Sequence, residues 1–112
     1  AAYVAADVTK AEDVKKYAEE TVKQFGKIDI FFNNAGIEGV VKPITEFPED
    51  VFDKVMAVNV KGVFLGAKYV LPQMKDGASM IITSSVAALG GTPDFIAYGG
   101  HYAHRRIGGR GP

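Results

Sequence analysis

Ile28-Asp29-Ile30-Phe31-Phe32-Asn33-Asn34-Ala35-Gly36 is the stretch on which the fold turns. Its opening residues are β-branched or aromatic apart from Asp29 and do not alternate cleanly, which predicts a short strand covered on both faces. The strand stops at two asparagines, an alanine and a glycine, residue types that suit a tight turn. Upstream, Val14, Tyr17, Ala18, Thr21, Val22 and Phe25 recur at the spacing of one helix face. Gly26 suits the C-cap of that helix, and Thr9 with Glu12 suits an N-terminal capping box. Before it, Tyr3-Val4-Ala5-Ala6 predicts another short strand, ending at Asp7-Val8-Thr9. Downstream, residues 37–48 contain Gly39, Pro43 and Pro48 and predict a surface loop. A long helix is predicted from Pro48 or Glu49 to about Met74, with Val51, Phe52, Val55, Met56, Asn59, Val63, Phe64 and Ala67 at helical spacing. Glu49, Asp50 and Asp53 sit in its first turns, where the helix dipole favours negative charge. Gly62 and Gly66, four residues apart, would let another helix approach closely. Asp76-Gly77 predicts a turn into a third strand, Met80-Ile81-Ile82-Thr83, which ends at Ser84-Ser85 before a small-residue loop over 86–97. Strand, helix, strand, helix, strand calls for an α/β fold with a parallel sheet and right-handed crossovers.

Composition narrows the function classes. The chain has 112 residues, 47% of them hydrophobic and 23% charged, which describes one globular domain. Thirteen basic residues balance thirteen acidic ones, so no net field steers nucleic acid or an anionic membrane, and neither is an expected partner. There is no cysteine, hence no disulfide framework and no thiolate metal site. His101 and His104 lack a matching carboxylate set, so no metal is expected. No apolar run approaches the roughly 18 to 20 residues of a membrane span. The N-terminus shows no basic segment leading into an apolar one, and a cytoplasmic location is expected. The first residue is Ala1 rather than Met, and it leads at once into a predicted strand, so the chain is expected to be a piece of a longer domain.

The composition changes near the C-terminus. All ten basic residues through Lys75 are lysines, whereas Arg105, Arg106 and Arg110 are the only arginines, and residues 99–112 hold five of the thirteen glycines and no acid. We therefore divide the chain into a domain part, 1–98, and an atypical Gly/Arg-rich tail, 99–112, of the kind a shifted reading frame would leave. A natural tail and a small basic patch are the other readings of that segment.

Ligands of parallel α/β sheets bind outside the carboxyl ends of the strands. Asp7, the turn Asn33 to Gly36, and Ser84 and Ser85 follow the three predicted strands. Taken singly these residues are ordinary: turn asparagines, loop hydroxyls, a polar residue on a helix at Asn59, a packed aromatic at Tyr98. Taken together, Asn33-Asn34-Ala35-Gly36 after a strand, Asn59 within a helix, Ser85, and Tyr98 thirteen residues later resemble the short-chain dehydrogenase/reductase family. The resemblance covers residues 1 to about 98.

That family has a Rossmann-type, doubly wound parallel sheet, and this sequence is similar to its middle stretch, from the third strand to the start of the helix after the fifth. The resemblance implies NAD or NADP as cofactor and hydride transfer between it and a secondary alcohol or ketone. It implies a small-molecule substrate and a homo-oligomer, dimer or tetramer, at full length. It assigns Asp7 and Val8 to the adenine side of the cofactor and Asn33, Asn34, Ala35 and Gly36 to the turn lying along it. Asn59 corresponds to the helix asparagine that holds a water of the proton relay, Ser85 to the serine that hydrogen-bonds the substrate oxygen, and Tyr98 to the acid/base beside the nicotinamide. A phenol with a free pKa near ~10 does that work poorly at neutral pH without a cation beside it. In the family the cation is a lysine four residues after the tyrosine, and here that position is Tyr102. Arg105 and Arg106, seven and eight residues after Tyr98, would stand about two helical turns, or ~10 Å, from it. A second match, Tyr102 with Arg106, puts the tyrosine seventeen residues after Ser85 instead of thirteen. No G-x-x-x-G-x-G phosphate loop occurs in the chain. The other reading is a catalytically inactive binding or oligomerisation module built on the same sheet.

Overall fold

A strand exists only where a neighbour completes its hydrogen bonds, and that requirement decides which predicted strands form. The computed structural model describes residues 1–85. In chain order these form α1 (Ala11–Phe25), β1 (Ile28–Asn33), a 3-10 turn (Ile44–Glu46), α2 (Glu49–Met56), a π-helical turn (Ala57–Lys61), α3 (Gly62–Val70), a second 3-10 turn (Leu71–Gln73) and β2 (Met74–Ile82). Two compact units result. The first comprises residues 1–35 and 61–82; the second holds residues 36–60 and, of the described residues, 83–85.

In the first unit β1 and β2 pair in parallel, with Ile30 opposite Ser79, Phe31 opposite Met80, Phe32 opposite Ile81 and Asn33 opposite Ile82. Residues 2–6 form no strand, against expectation, because the described sheet consists of β1 and β2 and neither pairs with that run. The predicted start of β2 was also too late. The strand begins at Met74, opposite Ile28, and the Asp76-Gly77 turn is an irregularity inside it: Lys75 to Ala78 stand opposite Asp29 alone, with Gly77 at φ 84°.

Helix α1 buries Val14 and Ala18 completely. Ala18 joins Ile28 and Val70 in the core, with Tyr17, Val22, Phe31 and Met74 packed against them. Burial of the Tyr17 hydroxyl pushes its pKa above the ordinary value. Gly26 caps the helix at φ 81°, its N–H donating to Val22 O at 2.7 Å. The expected capping box is absent: Lys10 is the N-cap residue and no side chain caps it. Thr9 is captured by Asp7, whose Oδ1 accepts from the Thr9 N–H at 2.9 Å and the Thr9 hydroxyl at 2.7 Å, a local turn that competes with capping.

The sheet is covered on one face. Phe31 and Asn33 point toward the helices, where Phe31 meets Tyr17 with ring centroids 6.3 Å apart. On the opposite face Ile30, Phe32 and Ile81 are 68%, 59% and 50% exposed. Among the described residues, α1 and α3 both lie on the same side of the sheet.

Residues Glu49–Gln73 form one helical run, as expected, but a π turn interrupts it and periodicity alone did not reveal that. Val55, Asn59, Gly62, Leu65, Gly66 and Val70 are buried, while Phe52, Val60, Phe64 and Leu71 are exposed. An 18-residue window of the run reaches mean hydropathy 1.2, a value compatible with a membrane span. Reading uninterrupted apolar stretches missed this because Asn59, Lys61 and Lys68 break the run.

Where the strands begin, Lys75 Nζ lies 2.8 Å and Lys27 Nζ 3.7 Å from the Asp29 carboxylate. The hydrogen bond from Lys75, first of all, holds the Asp29 carboxyl below its ordinary pKa. The folded chain therefore binds this proton less readily than the unfolded chain. The resulting stability is present above the ordinary carboxylate range and is lost as pH falls through the lowered folded value. Asp29→Asn should cost a small, salt-sensitive amount of stability at neutral pH, and the cost should vanish in acid once the carboxyl is protonated in the folded chain, read by denaturant unfolding across pH. A difference that persists undiminished in acid overturns this.

In the second unit the expected surface loop is anchored at both ends of its chemistry. Gly39, at φ 80°, is so close to α2 that a Cβ there would lie 2.8 Å from Val55 Cγ2 and 3.0 Å from Val51 Cγ1. Near the start of the loop, Ile37 is bonded to Asn59 through both of its main-chain polar groups.

Candidate functional site

The strands are parallel and their last paired residues are Asn33 and Ile82, so the chain leaves both strands at the same end of the sheet. Asn33-Asn34-Ala35-Gly36 and Ser84-Ser85 follow those exits, where ligands of such sheets bind.

In the first unit α3 receives two of the candidate segments through its glycines. At Gly62 a Cβ would lie 2.9 Å from Val8 Cγ2, and at Gly66 it would lie 2.9 Å from Asn33 Nδ2. The glycine face thus admits a turn and a strand end, not a second helix as the sequence suggested. Asp7 is exposed; its side chain holds Thr9, and its N–H donates to Asp13 Oδ2 at 2.8 Å. Asn33 is 8% exposed and its Nδ2 donates to Val63 O at 3.1 Å. Its carboxamide therefore faces helix α3, while Asn34 and Ala35 are exposed.

In the second unit Asn59 is fully buried within the π turn. Its Oδ1 accepts from the Ile37 N–H at 2.8 Å and its Nδ2 donates to Ile37 O at 2.9 Å. Such turns recur at functional positions of helices. Gly36 is exposed, Ser85 is half-buried and Ser84 is exposed. Tyr98, Tyr102 and the arginines lie outside the described residues. Sequence reading missed three contributors: Ile37 as the partner of Asn59, Gly66 as the neighbour of Asn33, and Asp13 as the acceptor that steadies Asp7. For Gly66 the sequence held a signal, since a glycine inside a helix needs a reason and close packing is the usual one.

A parallel sheet with helical crossovers and a polar strand-end site defines a partial Rossmann-type α/β domain. The family described as enoyl-(acyl carrier protein) reductase matches residues 1–103. Levodione reductase of Leifsonia aquatica is 46% identical over 95 residues, covering 83% of this chain and 36% of the relative. The 2-(R)-hydroxypropyl-CoM dehydrogenase of Xanthobacter autotrophicus is 46% identical over 99 residues, covering 85% of this chain and 40% of the relative. Among solved structures, NAD+-bound xylitol dehydrogenase superposes with a TM-score of 0.86 at 37% identity, over 94% of this chain and 41% of that one. The crystal structure of levodione reductase gives 0.85 at 38% identity, over 94% and 41%. The chain belongs to the short-chain dehydrogenase/reductase family. It spans about two fifths of the length of these relatives.

Proposed function

We propose that this chain is the central part of a nicotinamide-dependent oxidoreductase that interconverts a secondary alcohol and a ketone. The observation that carries the reading is the parallel pairing that ends at Asn33 and Ile82, from which the Asn33–Gly36 turn and Ser84-Ser85 both depart. Family membership supports it, and so do relatives whose names are those of a reductase and dehydrogenases. Nothing among them supports the inactive-module alternative.

The residues present suit a flat cofactor. After the buried Asn33, the turn offers one exposed carboxamide at Asn34, the methyl of Ala35 and, at the exposed Gly36, no side chain at all, so a ring can approach the backbone. Asp7 and Val8 would take the adenine side, Asn34 to Gly36 the length of the cofactor with Asn33 holding that turn from behind, and Tyr98 the nicotinamide end. A nicotinamide cofactor, NAD or NADP, held there would supply or accept the hydride. In reduction Tyr98 gives its phenolic proton to the carbonyl oxygen, and in oxidation it takes that proton back. The Ser85 hydroxyl donates a hydrogen bond to the same oxygen. The Asn59 carboxamide is engaged with Ile37, so its part in the relay is to fix the helix segment whose main chain holds the relay water. Residues 1–98 carry this chemistry and 99–112 form the tail. The substrate is a small molecule, the location cytoplasmic, and the full-length protein a homo-oligomer. The apolar side chains left exposed along the long helical run, Phe52, Val60 and Phe64, support that last reading.

The test is turnover by the full-length protein, followed through the absorbance of reduced nicotinamide with NAD(H) and NADP(H) over secondary alcohols and ketones. Turnover with at least one cofactor is expected, and Ser85→Ala should lower kcat about 10²- to 10³-fold, the usual loss for one donor to a reacting oxygen. No turnover with either cofactor across the panel would sink the proposal.

A further inference from the structure

The interior of α3 contains a glycine that no local conformation demands. Gly66 is buried and does not have positive φ, which among the described glycines is confined to Gly26, Gly39 and Gly77. A glycine in such a place weakens the helix, so its value must lie in what its missing side chain admits. What it admits is Asn33. A Cβ at position 66 would stand 2.9 Å from Asn33 Nδ2, 3.2 Å from Asn33 Oδ1 and 3.0 Å from Phe31 Cζ. Phe31 presents a ring edge that can tip. The carboxamide has less room, since it is 8% exposed and its Nδ2 donates to Val63 O, three residues before Gly66 on the same helix. A methyl group at position 66 would push the amide off that carbonyl.

We propose that Gly66 is a positioning residue for the cofactor. By leaving space for the Asn33 carboxamide it lets the last residue of β1 bond into α3, and this bond fixes the point from which Asn34, Ala35 and Gly36 start. The inference rests on the reading above that this turn lies along the cofactor. Gly66 touches no substrate and acts only through Asn33.

The consequence is a specific pattern of non-additivity in the full-length protein. Gly66→Ala should raise the dissociation constant of the nicotinamide cofactor about three- to tenfold, the net worth of one hydrogen bond, with kcat at saturating cofactor within about twofold. Asn33→Ala should raise it by a similar factor. Because both changes break the same bond, the double variant Gly66→Ala/Asn33→Ala should bind no more weakly than Asn33→Ala alone. Should Gly66→Ala alone fail to fold, the double variant, in which the new methyl has the vacated space, should fold; if it does not, the proposal is overturned. It is also overturned if the two single effects multiply, or if Gly66→Ala lowers the melting temperature and leaves the dissociation constant unchanged while Asn33→Ala raises it. An unchanged dissociation constant in Asn33→Ala itself locates the failure in the reading of the turn.

Discussion

Tyr98→Phe in the full-length protein is expected to lower kcat about 10²- to 10⁴-fold, the contribution of a positioned general acid or base, while the cofactor still binds. The substitution removes one oxygen and leaves the ring, so packing changes little and the loss reports the proton. Hydride transfer without a proton at the substrate oxygen would leave an alkoxide on one side or require a protonated ketone on the other, and both are costly. The pH dependence carries a second test. Position 102 is Tyr102, so the cation that the family places one helical turn after the tyrosine is missing from this sequence. Tyr102→Lys restores that cation and should move the rise of the alcohol-oxidation rate with pH toward lower pH. A Tyr98→Phe variant with kcat within a few-fold of the parent would remove Tyr98 from the chemistry.

The largest expected loss of stability belongs to Asn59. Its carboxamide is fully buried and engages both main-chain groups of Ile37. Asn59→Leu keeps the branching and heavy-atom count of the side chain, though the leucine is bulkier, and deprives Ile37 of both bonds. Each buried polar group left unpaired costs about 1–3 kcal/mol, so the total for the two should be about 2–6 kcal/mol. At about 2–4 °C per kcal/mol for a full-length domain of 150 to 250 residues, the melting temperature should fall by roughly 4–24 °C. Asn59→Asp should do no better: it keeps the acceptor, loses the donor and adds a buried charge. A melting temperature of Asn59→Leu within about 2 °C of the parent would mean that solvent replaces both bonds and that the Asn59–Ile37 link does not hold the loop.

What could be read in the sequence was the part governed by neighbours along the chain. The β-branched run at Ile28, the glycine cap at Gly26 and the spacing of Val14, Ala18 and Val22 each depend on local conformation, and each appears in the structure. Other features depended on partners that a linear pattern does not name. Thr9 looked like a cap, but Asp7 competes for it over a shorter distance. The run Tyr3 to Ala6 looked like a strand, but has no neighbour in the described sheet. The π turn was hidden because one inserted residue leaves the polar Asn59 where an ordinary helix could also carry it. The candidate site was legible as a set of positions, and not as a division of labour: nothing in Asn33-Asn34 says that the first carboxamide turns inward to α3 while the second stays exposed.

The irregularity in β2 bears on how this part of the chain tolerates change in length. Because Lys75 to Ala78 already face a single residue, Asp29, the ladder does not count residues there. An insertion or deletion at Asp76-Gly77 is absorbed before pairing resumes at Ser79, so Met80 and Ile82 keep their side of the sheet and Ser85 keeps its distance from the last pair. Elsewhere in the strand a one-residue slip would turn every following side chain to the opposite face. The bulge works as an expansion joint, separating drift in the length of the preceding helix from the end of the strand where the candidate chemistry sits.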